Sequence, residues 1–115
     1  MSNKINRGIN ETPLSLHRAW QGRRFKTKEY KDYEKLLLAT LPTMEKIEGR
    51  IIIVYNLFLK RHASRDWDNC IKPLQDILQK KGYFEDDRKI YFAMVRKIPS
   101  DQDRIEVEIY PEYKE

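Results

Sequence analysis

The stretch 51-IIIVYNLFL-59 is apolar on both faces and rich in β-branched residues. That composition reads as a central strand of a sheet, and the rest of the chain is arranged around it. Downstream, Cys70, Ile71, Leu74, Ile77 and Leu78 form an apolar stripe that predicts a helix over about 70–81. Pro73 is tolerated near a first turn, so this helix is not expected to begin much before Asn69. Gly82 suits its C-terminal cap. The loop 83-YFEDDR-88 leads into a strand, 89-KIYFAMVRKI-98. Pro99 and 100-SDQD-103 make a turn, and 104-RIEVEIY-110 alternates Ile105, Val107 and Ile109 with Glu106 and Glu108, as a half-exposed strand does. The last two strands are expected to form a hairpin.

Upstream, residues 3–9 read as a short polar strand and 10–26 as a long loop containing Pro13 and Gly22. A helix is predicted from Thr27, whose hydroxyl caps the first turn while Glu29 meets the helix dipole. Tyr30, Tyr33, Leu37 and Leu41 recur at helical spacing, and Pro42 ends the segment. The order β-α-β-α-β-β predicts an α/β (α+β) fold. One small domain over 1–115 holds a mixed sheet of about four strands and two main helices.

With 115 residues, 40% hydrophobic and 36% charged, the chain has a modest core under a highly charged surface. No apolar run approaches the length of a membrane span, and the polar start MSNKINRGINE is not read as a signal peptide. Cys70 is the sole cysteine, which excludes an internal disulfide and a cysteine-rich zinc site and fits a reducing cytoplasm. The net charge of +5 is localised. Residues 1–35 carry nine Lys/Arg against four Asp/Glu, and the remainder balances to zero. The excess is densest in 18-RAWQGRRFKTK-28, a patch suited to a polyanion, although a solvated loop has the same composition.

The acids are more telling in their placement than in their number. Asp66 and Asp68, in 65-RDWDN-69, stand between the buried strand and a helix, and Asp86 and Asp87 precede the next strand. If the flanking strands are neighbours, the two pairs converge near one end of the sheet. Carboxylates gathered there repel unless a divalent cation neutralises them, and oxygen-only ligands favour Mg²⁺ or Mn²⁺ over zinc. Lys72 lies four residues after Asp68, with Asp76 a further turn on. Its ammonium either stabilises charge on a phosphate or makes an ordinary helical ion pair. Asn69 is expected to cap the second helix, Trp67 to point into the core, and Cys70 to be a core residue. His17 and His62 form no metal-ligand pair. Trp20 and Phe25 either stack on bases or pack the loop against the core.

In 65-RDWDNCIKPLQDIL-78 followed by 82-GYFEDD-87, the chain resembles the RusA family of Holliday-junction resolvases, small endonucleases of phages and bacterial prophages. The resemblance implies a homodimeric, Mg²⁺-dependent nuclease making paired cuts in four-way DNA junctions in the bacterial cytoplasm. It implies Asp66, Asp68 and Asp87 as metal-binding and catalytic carboxylates, Asp86 as an accessory one in its own site or across a dimer, and Lys72 as the catalytic lysine. Arg18, Arg23, Arg24, Lys26, Lys28 and Arg65 then form the DNA-contacting set. The chain departs from the family pattern in its polar first strand and in His17, where an asparagine is common. A non-cleaving module for branched or single-stranded DNA is the alternative, and it has no need of four aspartates. A haloacid-dehalogenase-type phosphatase also carries D-x-D after an apolar strand. Here several polar residues intervene, and the threonine of that family is absent.

Overall fold

The computed structural model describes residues 5–9, 13–14, 20–21 and 25–112. The stretch 51-IIIVYNLFL-59 forms β4 (Ile51–Leu59), flanked on one side by β5 (Ile90–Pro99), parallel to it, and on the other by β6 (Arg104–Pro111), antiparallel. A short strand β1 (Ile5–Ile9) runs antiparallel along the other side of β6, giving the order β1-β6-β4-β5. Two short paired strands, β2 (Trp20–Gln21) and β3 (Phe25–Lys26), punctuate the segment expected to be loop.

Helices α1 (Lys28–Thr40) and α2 (Trp67–Lys81) contribute Tyr30, Tyr33, Leu37, Leu74, Ile77 and Leu78 to one core with Ile51, Ile53, Tyr55, Leu57 and Leu59 of β4. Ile105, Val107 and Ile109 of β6 complete that layer. Burying an aliphatic side chain here contributes about 1.5–3 kcal/mol each, before the entropy of ordering the chain is subtracted. The local signals hold at the start of α1 and at the ends of both helices. Thr27 Oγ1 accepts from the Tyr30 amide at 3.1 Å, and α1 ends before Pro42. Gly82, at φ 98°, ends α2. Its amide donates to Gln79 O at 3.0 Å and the Tyr83 amide to Leu78 O at 3.4 Å, a Schellman arrangement with buried Leu78 and Tyr83 as its apolar contact.

The expected hairpin is not formed. The helix between β4 and β5 is a crossover that returns the chain for parallel pairing, so β5 takes one side of β4 and β6 the other. Residues 100–103 carry the chain past the end of β4, tied there by Ser100 N to Leu59 O at 3.2 Å and Lys60 N to Asp103 Oδ1 at 2.9 Å. That step spans two inter-strand spacings, about 9.6 Å. β5 is left at the sheet edge with Tyr91, Phe92 and Met94 exposed.

A second correction concerns α2, which begins at Trp67 rather than at about 70, so Pro73 stands inside the helix. The Pro73 ring supplies no N–H to the Asn69 carbonyl. The helix accepts this defect because Pro73 is buried beside Cys70 and Leu74. Trp67 is 53% exposed and does not anchor the turn in the core, because the earlier start puts it at the solvent end of the first turn. Cys70 is buried, as expected.

Candidate active site

The loop from β4 into α2 is stitched down from several directions. Ser64 closes it on Arg61, its amide donating to Arg61 O at 3.1 Å. Arg65 turns inward, its guanidinium donating to Pro13 O and, at 3.3 Å, to Cys70 Sγ. Lys97, near the end of β5, donates to His62 O at 2.6 Å and to Arg65 O at 2.8 Å. Burial pushes the Cys70 thiol up, with Arg65 opposing the shift, so this sulfur is a neutral core group.

Asp66 is the N-cap residue of α2, with φ −77° and ψ 128°, yet its carboxylate makes no capping hydrogen bond. The side-chain amide of Asn69 donates to Asp66 Oδ2 at 3.3 Å, and the Asn69 backbone amide donates to Asp68 Oδ1 at 3.0 Å. Capping therefore does not fall to Asn69. Its side chain orients Asp66, and both aspartates present carboxylate to solvent at the helix N-terminus.

One turn further along α2, Lys72 Nζ lies 2.9 Å from Asp76 Oδ1 and 3.1 Å from Asp87 Oδ2. The Asp76 hydrogen bond raises the Lys72 pKa, partial burial opposes it, and the Asp87 bond adds to the rise. The ammonium is thus fixed in its charged form. Asp86 caps the short 3₁₀ turn Asp87–Lys89, accepting from the Arg88 amide at 2.9 Å, which holds its carboxyl below the usual range. Beyond Asp76, a cleft of about 360 Å³ opens between the helices, with Glu34 and Lys80 on its walls. Burial pushes the Glu34 carboxyl up, but hydrogen bonds from Lys80 at 2.9 Å and Lys26 at 3.3 Å prevail and hold it below its ordinary value.

Lys72, on the helix whose first turn carries Asp66 and Asp68, thus meets Asp87 of the 3₁₀ turn. Through Lys72, which stands one helical turn from Asp68, Asp87 is carried toward the Asp66–Asp68 end of the helix, although its strand begins beside the start of β4. Parallel pairing puts the β4 exit and the β5 entry at opposite ends, since Leu59 pairs with Pro99 and Ile51 with Ile90. Among the described residues, no three His, Cys, Asp or Glu side chains form a group able to hold a metal ion. The donor chemistry itself fits Mg²⁺ or Mn²⁺, because both pairs offer only hard carboxylate oxygens.

Of the basic residues expected to meet DNA, Lys26 is tied to Glu34 and lies 4.8 Å over the Tyr30 ring, and Lys28 pairs with Asp32 at 3.1 Å. Arg18, Arg23 and Arg24, with His17, lie outside the described residues. Sequence reasoning did not single out Lys97, Glu34 or Lys80. Lys97 is 32 residues from Arg65, and no periodicity links the two. No helix among the described residues is long and apolar enough to cross a membrane.

Residues 14–110 match the family model described as endodeoxyribonuclease RusA. A curated relative, the crossover junction endodeoxyribonuclease rusA of Lactococcus phage r1t, is 41% identical over 44 residues. That match covers 38% of this chain and spans about a third, 34%, of the relative's length.

Proposed function

Because the chain belongs to the RusA endodeoxyribonuclease family, we propose that it is a structure-selective, divalent-metal-dependent endodeoxyribonuclease that resolves four-way DNA junctions by paired phosphodiester cuts. The observation that carries this reading is the Lys72 ammonium, held by Asp76 and Asp87 on the helix that Asp66 and Asp68 open. A non-cleaving DNA module has no use for four such aspartates.

In this reading Asp66, Asp68 and Asp87, with Asp86 as accessory, hold Mg²⁺ or Mn²⁺. A cation held there would supply Lewis acidity toward water and the phosphate. Lys72 keeps its proton and stabilises the charge that develops on the phosphoryl oxygens. Asn69 aims the Asp66 carboxylate. Arg18, Arg23, Arg24, Lys26 and Lys28 grip the phosphodiester backbone, each contact releasing condensed counterions.

The partner in this reading is a second copy of the chain. Two strands of a symmetric junction must be cut, and a twofold dimer has two sites. The exposed apolar row Tyr91, Phe92 and Met94 on the edge strand β5 supports this, since such an edge is ordinarily covered. The whole chain is read as one domain acting in the cytoplasm of a bacterial host.

The test is cleavage of a labelled four-way junction by the parent and by Asp66→Asn, with and without Mg²⁺. We expect symmetric nicks across the branch point, dependent on the metal and lost in the variant. A parent that binds the junction without cutting it, or a variant that cuts equally well, overturns the nuclease reading.

A further inference from the structure

We propose that Lys97 is a positioning residue for the Asp66–Asp68 pair, a role that rests on the reading of those aspartates given above. The carboxylate of Asp66 is not spent on capping α2, so its direction is set by the backbone that delivers it and by the one hydrogen bond from Asn69. The peptide unit joining Arg65 to Asp66 is planar, so the direction of the Arg65 carbonyl fixes the Asp66 amide and the entry angle of the chain into the helix. Lys97 Nζ takes that carbonyl at 2.8 Å and the His62 carbonyl at 2.6 Å, clamping the turn at two points.

Lys97 works from a rigid base. It is paired with Leu57 in the parallel ladder, and Leu57 is fully buried. Other ties on the loop act elsewhere. The Arg65 guanidinium fixes the side-chain end of that residue through Pro13 O and Cys70 Sγ, and Ser64 closes on Arg61. Among the described hydrogen bonds, only the Lys97 ammonium reaches the peptide unit from which Asp66 departs. A loop of exposed residues with few apolar anchors is otherwise free to sample several backbone directions. Without the clamp, the two carboxylates are still present but spend less time in the productive arrangement. A misplacement of about 1 Å is enough to cost on the order of 100-fold in rate.

Lys97→Met removes both bonds at nearly constant side-chain length, and Lys97→Arg restores charged donors. Three readouts are taken on each full-length protein: the single-turnover cleavage rate of a four-way junction in Mg²⁺, junction affinity without metal, and amide exchange over residues 60–69 in the metal-free protein. For Lys97→Met we expect cleavage reduced about tenfold or more, affinity within about twofold, and exchange near Asp66 faster by about tenfold. Lys97→Arg should recover most of the rate and the slow exchange. Melting should stay within about 4 °C of the parent, as for a single exposed polar tie.

Affinity falling in step with cleavage identifies Lys97 as a phosphate contact and overturns the proposal. Unchanged cleavage, unchanged exchange, failure of the arginine to rescue, or a large loss of melting temperature also overturns it. Asp66→Asn is assayed in parallel. If it cuts like the parent, or the parent does not cut, the reading of Asp66 fails instead, and the exchange measurement still judges the clamp by itself.

Discussion

Replacing Lys72 with methionine should remove catalysis while leaving the fold nearly untouched, and the structure says by how much. The ammonium makes two ion pairs, at 2.9 and 3.1 Å, but its side chain is 48% exposed and those of Asp76 and Asp87 are 31% and 36% exposed. Solvent screens such pairs, so each contributes about 0.5 kcal/mol and the two together about 1 kcal/mol at most. Methionine keeps the packing of the aliphatic stem. For a domain of this size the melting temperature should fall by roughly 4 °C or less. A donor aimed at charge developing in the transition state is worth far more, about 100- to 1,000-fold in rate. Single-turnover cleavage of a labelled junction gives the second quantity and thermal melting by circular dichroism the first. Cleavage within about fivefold of the parent would show that Lys72 is an ordinary helical ion-pair partner, and a melting temperature lowered by tens of degrees would show that the site and the fold are not separable.

Two further outcomes follow from α2 and its neighbour. Gly82→Ala meets no atom within 4 Å of the added Cβ, so its cost is the left-handed φ of 98° alone, about 1–2 kcal/mol. Denaturant unfolding measures it, and a larger loss would mean the turn is strained in some other way. Glu34 has a lowered folded pKa, so its contribution to stability is present above the unfolded value, about 4.3, and is lost as pH falls through the folded value. The stability difference between the parent and Glu34→Gln should therefore shrink as pH drops from about 5 to about 2. A difference independent of pH across that range contradicts the pairing with Lys26 and Lys80.

Strong local chemistry was legible in the sequence. The apolar run at 51–59, the Thr27 cap, the Gly82 stop and the alternation of Ile105, Val107 and Ile109 each correspond to a structural feature. Non-local pairing was harder to read. A four-residue link at 100–103 resembles a hairpin turn, and only the crossover through α2 reveals that β5 must lie beside β4 and β6 beyond it. The start of α2 was misjudged because a buried proline overrode the usual penalty, and with the earlier start Trp67 moved to solvent. At the site, the sequence indicated which residue types belong together, and Lys72 with Asp87 follows that indication. Spacing could not show that Lys97 crosses from another strand to the Asp66 loop.

The strand order also bears on how the molecule is made. Among the described residues, β4 finds its partners only in residues 90–99 and 104–111, so its ladder cannot close while those segments are still in the ribosome. During synthesis, IIIVYNLFL waits as a short, strongly β-prone stretch with no charge in it, the kind of segment that aggregates when left unpaired. Such long-range pairing also slows folding, to milliseconds or longer. Nascent chains stalled before Pro111 should therefore be protease-sensitive, and protection should arrive in one step once β6 has emerged.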